Sequence, residues 1–502
     1  MSRFDLAVIN GTLVIPHTGL VRADLGVRDG RIAAIVDKIS THEAETLIDA
    51  NGKAVFPGAV DSHYHVGIYR PFPQDAESES RSSLIGGVTT LLSYFRTGHH
   101  YLNKSGQYRT IFPEVLELAA GHFYTDYGFH LAIMTAQQLQ EVDDLVERYG
   151  VGSFKFYMFY KGLNLSANST RGNDYTMADN YDLGHLYLLM EKVSAAARKH
   201  ADGGRIALSL HCENPELIRV FIEKVKEEGL QGLKAYSRAR PPLTEHLSIL
   251  EAVLLAEATR CPVNLLHLSS RQALKAGIHA RREHPSLDIV LETTLHHLTL
   301  TCETAGGVIG KVNPPIRDQE DVDYLWEGIA NGEVDTVVSD HACCMEEEKK
   351  DADLWGSLPG FGGSSLLYPT LISEGFHKRS VPLTRISEIA AANPARHFGL
   401  FPQKGALAVG ADADFAVIDL NKIQTVTPEL LQSAQKFTPF HEKKLKGWPS
   451  KTILRGEIMM KNSQVIGEAS GRYIRRPVAL HGAGADRGLL NVAVPLDKSR
   501  EQ

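Results

Sequence analysis

Across the first 56 residues the apolar positions come in short runs separated by tight-turn dipeptides. Leu6 to Ile9 is followed by Asn10-Gly11, then come Leu13 to Ile15, Leu25 to Ile35 broken by Asp29-Gly30, and Asn51-Gly52 ahead of Ala54-Val55-Phe56. This spacing predicts hairpin strands with no helical period. A small antiparallel β-unit of that kind buries too little to stand alone. Similar segments return near the other end, at Ala413 to Leu420 and Lys451 to Ile466, the second interrupted by Lys461-Asn462-Ser463. The two chain ends are therefore expected to pair into one discontinuous β-sandwich.

Between them, short apolar runs alternate with helical stretches, the pattern of parallel βα units. Eight strands are predicted: Gly58 to His65, Gly87 to Tyr94, Tyr127 to Met134, Ser153 to Tyr160, Ile206 to His211, Val263 to Ser269, Leu287 to Thr294 and Asp335 to Asp340. Helical periods follow several of them, at Leu183 to His200, Pro215 to Glu228, Leu243 to Thr259 with a Thr244-Glu245 start, and Arg271 to Glu283. No glycine-rich phosphate turn follows the first strand, so a closed (β/α)8 TIM-type barrel is expected in place of a doubly wound sheet. The fold class is α/β. The expected division gives 1–56 to the N-terminal part of the sandwich, 57–400 to the barrel and 401–474 to the C-terminal part of the sandwich. Residues 475–502 are expected to form a tail that wraps a neighbouring subunit.

Composition narrows the partners. A chain of 502 residues with 43% hydrophobic and 23% charged residues has the make-up of a globular protein with a large core. A formal net charge of -7 gives no basic stripe for nucleic acid and no polybasic anchor for membranes. No apolar run approaches the roughly 18 residues that span a bilayer. Five cysteines and a start, Met1 to Asp5, without a basic-then-apolar pattern lead to the expectation of a reducing cytoplasm. The vicinal Cys343-Cys344 reads as two buried thiols beside a strand end, with a reactive pair as the alternative.

In such a barrel the site is built at the C-terminal ends of the strands, so polar residues there carry most information. Strand one ends in Asp61-Ser62-His63-Tyr64-His65, and alternation points His63 and His65 the same way, toward one metal ion or toward solvent. Lys155 interrupts the apolar and aromatic run Ser153 to Tyr160. A buried ammonium needs an ion pair or a lowered pKa, or the amine has reacted with carbon dioxide to give a carbamate, an anionic ligand able to bridge two cations. Strands five and six end in His211 and His267, and strand eight ends in Ser339-Asp340-His341. Taken singly each has a structural explanation; together, five strands deliver ligand-capable groups to one rim.

These residues resemble the amidohydrolase superfamily, in the hydantoinase and dihydropyrimidinase branch that includes dihydroorotases and allantoinases. The resemblance covers nearly the whole chain. It rests on Pro57 to His65, Ser153-Phe154-Lys155 with Tyr160-Lys161-Gly162, His211-Cys212-Glu213-Asn214, His267-Leu268-Ser269-Ser270 and Ser339-Asp340-His341. It implies that Lys155 is N6-carboxylysine bridging two divalent ions, with His63, His65 and Asp340 on one and His211 and His267 on the other. Zinc is the first expectation, with manganese, cobalt or iron as alternatives. It further implies a metal-bridging hydroxide attacking a cyclic amide or imide carbonyl, Asp340 as base and then acid, Tyr160 stabilising the oxyanion, and a homotetramer or homodimer.

The substrate signals are mixed. Lys311-Val312-Asn313-Pro314-Pro315-Ile316-Arg317 resembles the dihydroorotase segment, as does Asp340-His341-Ala342 with the following Glu346-Glu347-Glu348-Lys349, and Asn313 is a candidate substrate contact. The arginine that dihydroorotases carry two residues after the second histidine is here Gly67, with Arg70 further along, and Ser357 to Gly363 lacks the dihydropyrimidinase Asn-Gly loop. Aromatic residues Tyr64, Tyr69, Tyr94, Phe95, Tyr157 and Phe159 would suit an apolar ring substituent or the core. His99-His100 and His296-His297 are read as solvated or hydrogen-bonded. The leading expectation is opening of a hydantoin or dihydropyrimidine ring. Alternatives are allantoinase- or dihydroorotase-like ring hydrolysis, hydrolysis of an acyclic amide or carbamate, and a non-catalytic dihydropyrimidinase-like assembly protein.

Overall fold

The computed structural model describes residues 2–160, 180–350 and 354–476. All eight predicted barrel strands are present, as Ala59–His65, Val88–Phe95, Asp126–Ala132, Ser153–Tyr157, Ala207–His211, Val263–Leu265, Ile289–Thr294 and Thr336–Val338. Each pairs in parallel with its successor. Thr336–Val338 lies beside the seventh strand, and two residues later His341–Ala342 pairs with Tyr64 and His65 of the first. That handover closes the ring, with Asp340 at the junction.

Three strands end well short of what their apolar runs predict. After Tyr157 the fourth strand turns into a tight 3-10 segment, Met158–Tyr160. The sixth and eighth strands end early because His267 and Asp340 adopt left-handed backbone, with φ of 37° and 50°. Such conformations cost about 1–3 kcal/mol each in non-glycine residues and concentrate at functional sites. Arg271–Glu283 is helical as the period predicts, capped by Ser270, whose side chain accepts from the Ala273 N–H. The helix expected from Leu243 starts at Pro242, with Pro241 at its N-cap. Thr244 and Glu245 do not supply its start signal: Glu245 turns inward to Ser269 and Arg317.

The chain ends share a seven-stranded sheet in which Phe415–Thr425 pairs with Ala54–Pro57 on one side and Lys444–Leu454 on the other. A four-stranded sheet built from Phe4–Ile9, Asp24–Arg28, Arg31–Val36 and Ala44–Asp49 packs against it. Leu6, Val8, Leu25 and Ile48 meet Leu13, Val55, Phe415 and Ile453 in a shared core. The sandwich is not purely antiparallel as expected. Phe4–Ile9 runs parallel to Ala44–Asp49, and Thr12–Ile15 parallel to Ala54–Pro57. The intervening strands provide the long return a parallel pair requires. No helix among the described residues is long and apolar enough to cross a membrane.

The last described segment also departs from expectation. Tyr127 N–H donates to Arg472 O at 2.9 Å and Ile474 N–H to Tyr127 O at 2.8 Å, so the chain lies along its own third barrel strand. Arg475 and Arg476 thus engage their own barrel; residues 477–502 of the expected tail lie outside the described residues.

Candidate metal centre

Asp61 positions the first and last barrel strands relative to each other. Its carboxylate accepts from Ser339 N–H at 3.0 Å and Ser339 Oγ at 2.5 Å, which brings Asp340 beside the first-strand histidines. His63 Nε2 and His65 Nε2 lie 3.0 Å and 3.3 Å from Asp340 Oδ1. These three buried residues converge closely enough to hold a metal ion. Each imidazole is oriented from behind: His63 Nδ1 donates to Glu292 Oε1 at 2.7 Å, and His65 Nδ1 is 3.0 Å from the Tyr101 hydroxyl. A partner on Nδ1 leaves Nε2 as the donor atom, the arrangement typical of metal-binding histidines. Asp340 is held well below the usual carboxylate range: burial opposes ionisation, but His63 and His65 more than offset it.

A second pair lies across the barrel. His211 Nδ1 and His267 Nε2 approach to 2.9 Å, while His211 Nε2 is 2.7 Å from Glu213, itself gripped by Arg240 at 2.9 Å and 2.5 Å. Burial pushes the His211 imidazole down to about 4, so it is neutral, as a ligand must be. His267 Nδ1 is buried with no hydrogen-bond partner among the described residues. Its ring lies 5.3 Å from that of His63, which joins the two groups into one site.

Lys155 projects between them. The side chain is fully buried, its amine 4.4 Å and 4.7 Å from the ring centroids of Tyr94 and Tyr157, with no hydrogen bond among the described residues. Burial pushes the amine down to about 7, against the pull of Asp340 and Glu292. A neutral amine is the species that adds to carbon dioxide, losing one proton to give a carbamate. The unpartnered nitrogens of Lys155 and His267, beside neutral imidazoles and one carboxylate, therefore fit a carbamate and metal ions. Two other buried acidic groups hold the chain's own cations: Lys404 binds Asp412 at 3.0 Å and Asp414 at 2.6 Å, and Arg70 binds Asp75 at 3.0 Å.

Tyr160 is half-buried on the turn after strand four, its ring 4.9 Å from that of Tyr157 and beneath the Arg96 guanidinium at 5.5 Å. Lys161 and Gly162 of the motif lie outside the described residues. Asn313 accepts from the Tyr236 hydroxyl at 2.5 Å. Its neighbours brace the loops: Lys311 donates to Ser357 O at 2.5 Å and Arg317 to Glu245 at 2.8 Å. Gly67 has a φ of 75° and donates to Asp75 at 2.7 Å, and a Cβ there would come within 2.8 Å of Phe72. Arg70, tied to Asp75 and Ser78, serves this turn. Of the aromatic residues, Tyr94 and Tyr157 flank Lys155 and Phe159 packs on His211 at 4.3 Å, whereas Tyr64 faces away and stacks on His341 at 4.4 Å. His297 is hydrogen-bonded to Thr294 and Pro314, and His296 packs against Phe361. Cys343 and Cys344 are buried, and burial pushes the Cys344 thiol up to about 12, which matches the structural expectation for the pair.

Glu292, Tyr101 and Arg240 escaped sequence reasoning. The signal for Glu292 was present, a lone carboxylate directly after the apolar run Ile289 to Leu291.

Comparison with known proteins agrees with this geometry. The amidohydrolase family pattern matches residues 54–459. An allantoinase from Deinococcus radiodurans is 31% identical, over 94% of this chain and 98% of its own. An L-hydantoinase from Paenarthrobacter aurescens is 30% identical over 94% of this chain and 98% of its own. The solved L-hydantoinase (dihydropyrimidinase) from Arthrobacter aurescens superposes with a TM-score of 0.82 at 28% identity, covering 94% of this chain and 99% of that one. The chain belongs to the amidohydrolase family, in its hydantoinase, dihydropyrimidinase and allantoinase branch of cyclic amidohydrolases.

Proposed function

We propose that this protein opens a cyclic amide or imide ring of the hydantoin or dihydropyrimidine type at a two-ion centre. The observation that carries the reading is the buried amine of Lys155, without a hydrogen-bond partner among the described residues, between the His63, His65, Asp340 group and the His211, His267 pair. Lys155 as N6-carboxylysine would join the two groups, with zinc as the first choice of metal and manganese, cobalt or iron as alternatives. Bound ions would polarise the ring carbonyl and lower the pKa of the attacking water. Asp340 takes the proton of that water and returns it to the departing ring nitrogen. Tyr160 donates a hydrogen bond to the oxygen on which charge develops, and Asn313 contacts the ring. The reaction adds one water across one C–N bond.

The relatives include both allantoinases and hydantoinases, so the ring is named by class. A substrate panel of hydantoins, dihydrouracil, allantoin, dihydroorotate, cyclic imides and acyclic carbamates tests the proposal. Turnover of a ring substrate supports it. Turnover of acyclic amides alone, or of nothing by a metal-free protein, would replace it with the acyclic hydrolase or the assembly protein.

We further propose a homo-oligomer, a tetramer or dimer, working in the cytoplasm on a small molecule, without nucleic-acid or membrane partners. Leu243, Leu247, Leu250 and Leu254 support the oligomer: they recur at spacings of four, three and four along Pro242–Thr259 and are 36% to 62% exposed. The division at 56, 400 and 474 is part of the same proposal.

A further inference from the structure

At the end of the barrel opposite the metal centre a second polar chain runs through the core. Arg476 is 1% exposed, one of the largest fully buried side chains in the protein. Its Nη1 donates to Ser153 Oγ at 3.1 Å, its Nη2 donates to Phe129 O, and its backbone N–H donates to Gly150 O at 2.6 Å. Ser153 Oγ meets His130 Nδ1, and His130 Nε2 lies 3.0 Å from Ser62 O. A carbonyl oxygen only accepts, so His130 Nε2 carries the proton and Nδ1 must accept from the Ser153 hydroxyl. The chain therefore has one direction: Arg476 to Ser153 to His130 to Ser62. Burial beside a guanidinium keeps that imidazole neutral, as the direction requires.

Two members of this chain stand beside candidate ligands in the sequence. Ser62 precedes His63, and Ser153 lies two residues before Lys155, on the same face of the fourth strand. The His130 ring stacks on Tyr94 with centroids 4.3 Å apart, and Tyr94 in turn contacts the His63 ring at 4.5 Å and the Lys155 amine at 4.4 Å. Space for the guanidinium is provided by glycine. A Cβ on Gly128 would lie 3.2 Å from Arg476 Nε, and one on Gly152 would lie 3.3 Å from Arg476 Cβ.

We propose that Arg476 is a positioning residue for the metal centre, acting through Ser153, His130 and Tyr94 on His63 and Lys155. Docking of the Gly471–Arg476 segment beneath the barrel is thereby linked to the readiness of the site at its other end. The inference rests on the metal-centre reading above. Partners behind a ligand typically contribute about 10- to 100-fold in metal affinity or activity.

The test uses full-length protein with Arg476→Ala, Arg476→Lys and Ser153→Ala, reading metal per chain, thermal midpoint, and kcat and KM on whichever ring substrate the wild type opens. In the folded fraction of Arg476→Ala and Ser153→Ala, metal affinity or kcat is expected to fall about 10-fold or more, with KM within about twofold. Guanidinium ion added to Arg476→Ala should restore part of the loss, and Arg476→Lys should recover the thermal midpoint more than the kcat. Loss of thermal stability alone, with metal affinity and kcat of the folded protein unchanged, would overturn the inference. Should Arg476→Ala not fold, Ser153→Ala decides, since it cuts the link to His130 and keeps the Arg476 contacts to Phe129 and Gly150. A wild type with neither metal nor turnover would instead refute the metal-centre reading, which the variant-to-wild-type ratios leave separate.

Discussion

The Lys155 amine and the Glu213 carboxylate are both fully buried, and their neighbours push them to opposite outcomes. Lys155 has no hydrogen-bonded partner among the described residues, and burial pushes its amine down to about 7, ready for carbamate formation. Replacement by Ala should remove metal and activity together, and short carboxylic acids in solution should partly restore both by standing in for the carbamate. Retention of full metal in Lys155→Ala would contradict the role. Glu213 is held down at about 2 against the model-compound value of 4.5, because Arg240 and His211 outweigh the cost of burial. A depressed carboxylate stabilises the fold above its unfolded pKa, and the contribution is lost as pH falls from about 4.5 toward 2. Arg240→Met should therefore move the acid-unfolding midpoint, followed by circular dichroism, to higher pH; an unchanged midpoint would show that the pair contributes nothing. Legibility at this scale followed chemistry. His63, His65, His211, His267 and Asp340 stood out as candidates because each is a polar group at the C-terminal end of a strand run, and Lys155 because it interrupts the middle of one. Tyr101 could not, because it lies on a loop whose path no period dictates, and Arg240 could not, because its partner is 27 residues away.

At the scale of elements, the eight barrel strands were legible because strands buried on both faces are written as uninterrupted apolar runs. Their ends were not. Val263 to Ser269 reads as one run, yet the regular strand stops at Leu265, since left-handed backbone at His267 is a tertiary choice that aims the imidazole at His211. Parallel pairing in the sandwich was also hidden, because short apolar runs such as Thr12–Ile15 and Ala54–Pro57 carry no mark of direction, which only the returning chain sets. Two predictions belong here. Glu292→Gln, on the seventh strand, should weaken metal binding by about 10- to 100-fold with the barrel intact, because His63 loses the charged partner that orients it. Metal titration would detect this, and unchanged affinity would remove Glu292 from the centre. Asn214 caps the helix Pro215–Glu227 by accepting from Leu217 N–H at 3.0 Å. Asn214→Ala should lower unfolding free energy by about 1 kcal/mol in denaturant titration, and no loss would deny the cap.

For the whole molecule, the contacts that unite the chain lie outside the candidate metal centre. Phe415–Thr425 pairs with Ala54–Pro57 to join the two ends, and Arg476 enters the barrel floor from the last described turn. The exposed leucines of Pro242–Thr259 leave one apolar helix face uncovered by the described residues. The double variant Leu247→Glu, Leu254→Glu should dissociate the proposed oligomer in light scattering while each chain keeps its fold; an unchanged mass would place the interface elsewhere. The ring that is opened was not legible at any scale. Lys311 and Arg317, the residues most like a substrate signature, are spent on bracing Ser357 and Glu245, so their side chains carry fold and not specificity.

Whether Lys155 and its neighbours hold a pair of ions is decided by elemental analysis of metal per chain in full-length protein purified with zinc and bicarbonate. The wild type should carry about two ions per chain, falling below about one in Lys155→Ala. A wild type with fewer than about one ion per chain, or a Lys155→Ala variant that keeps both, would contradict the two-ion centre.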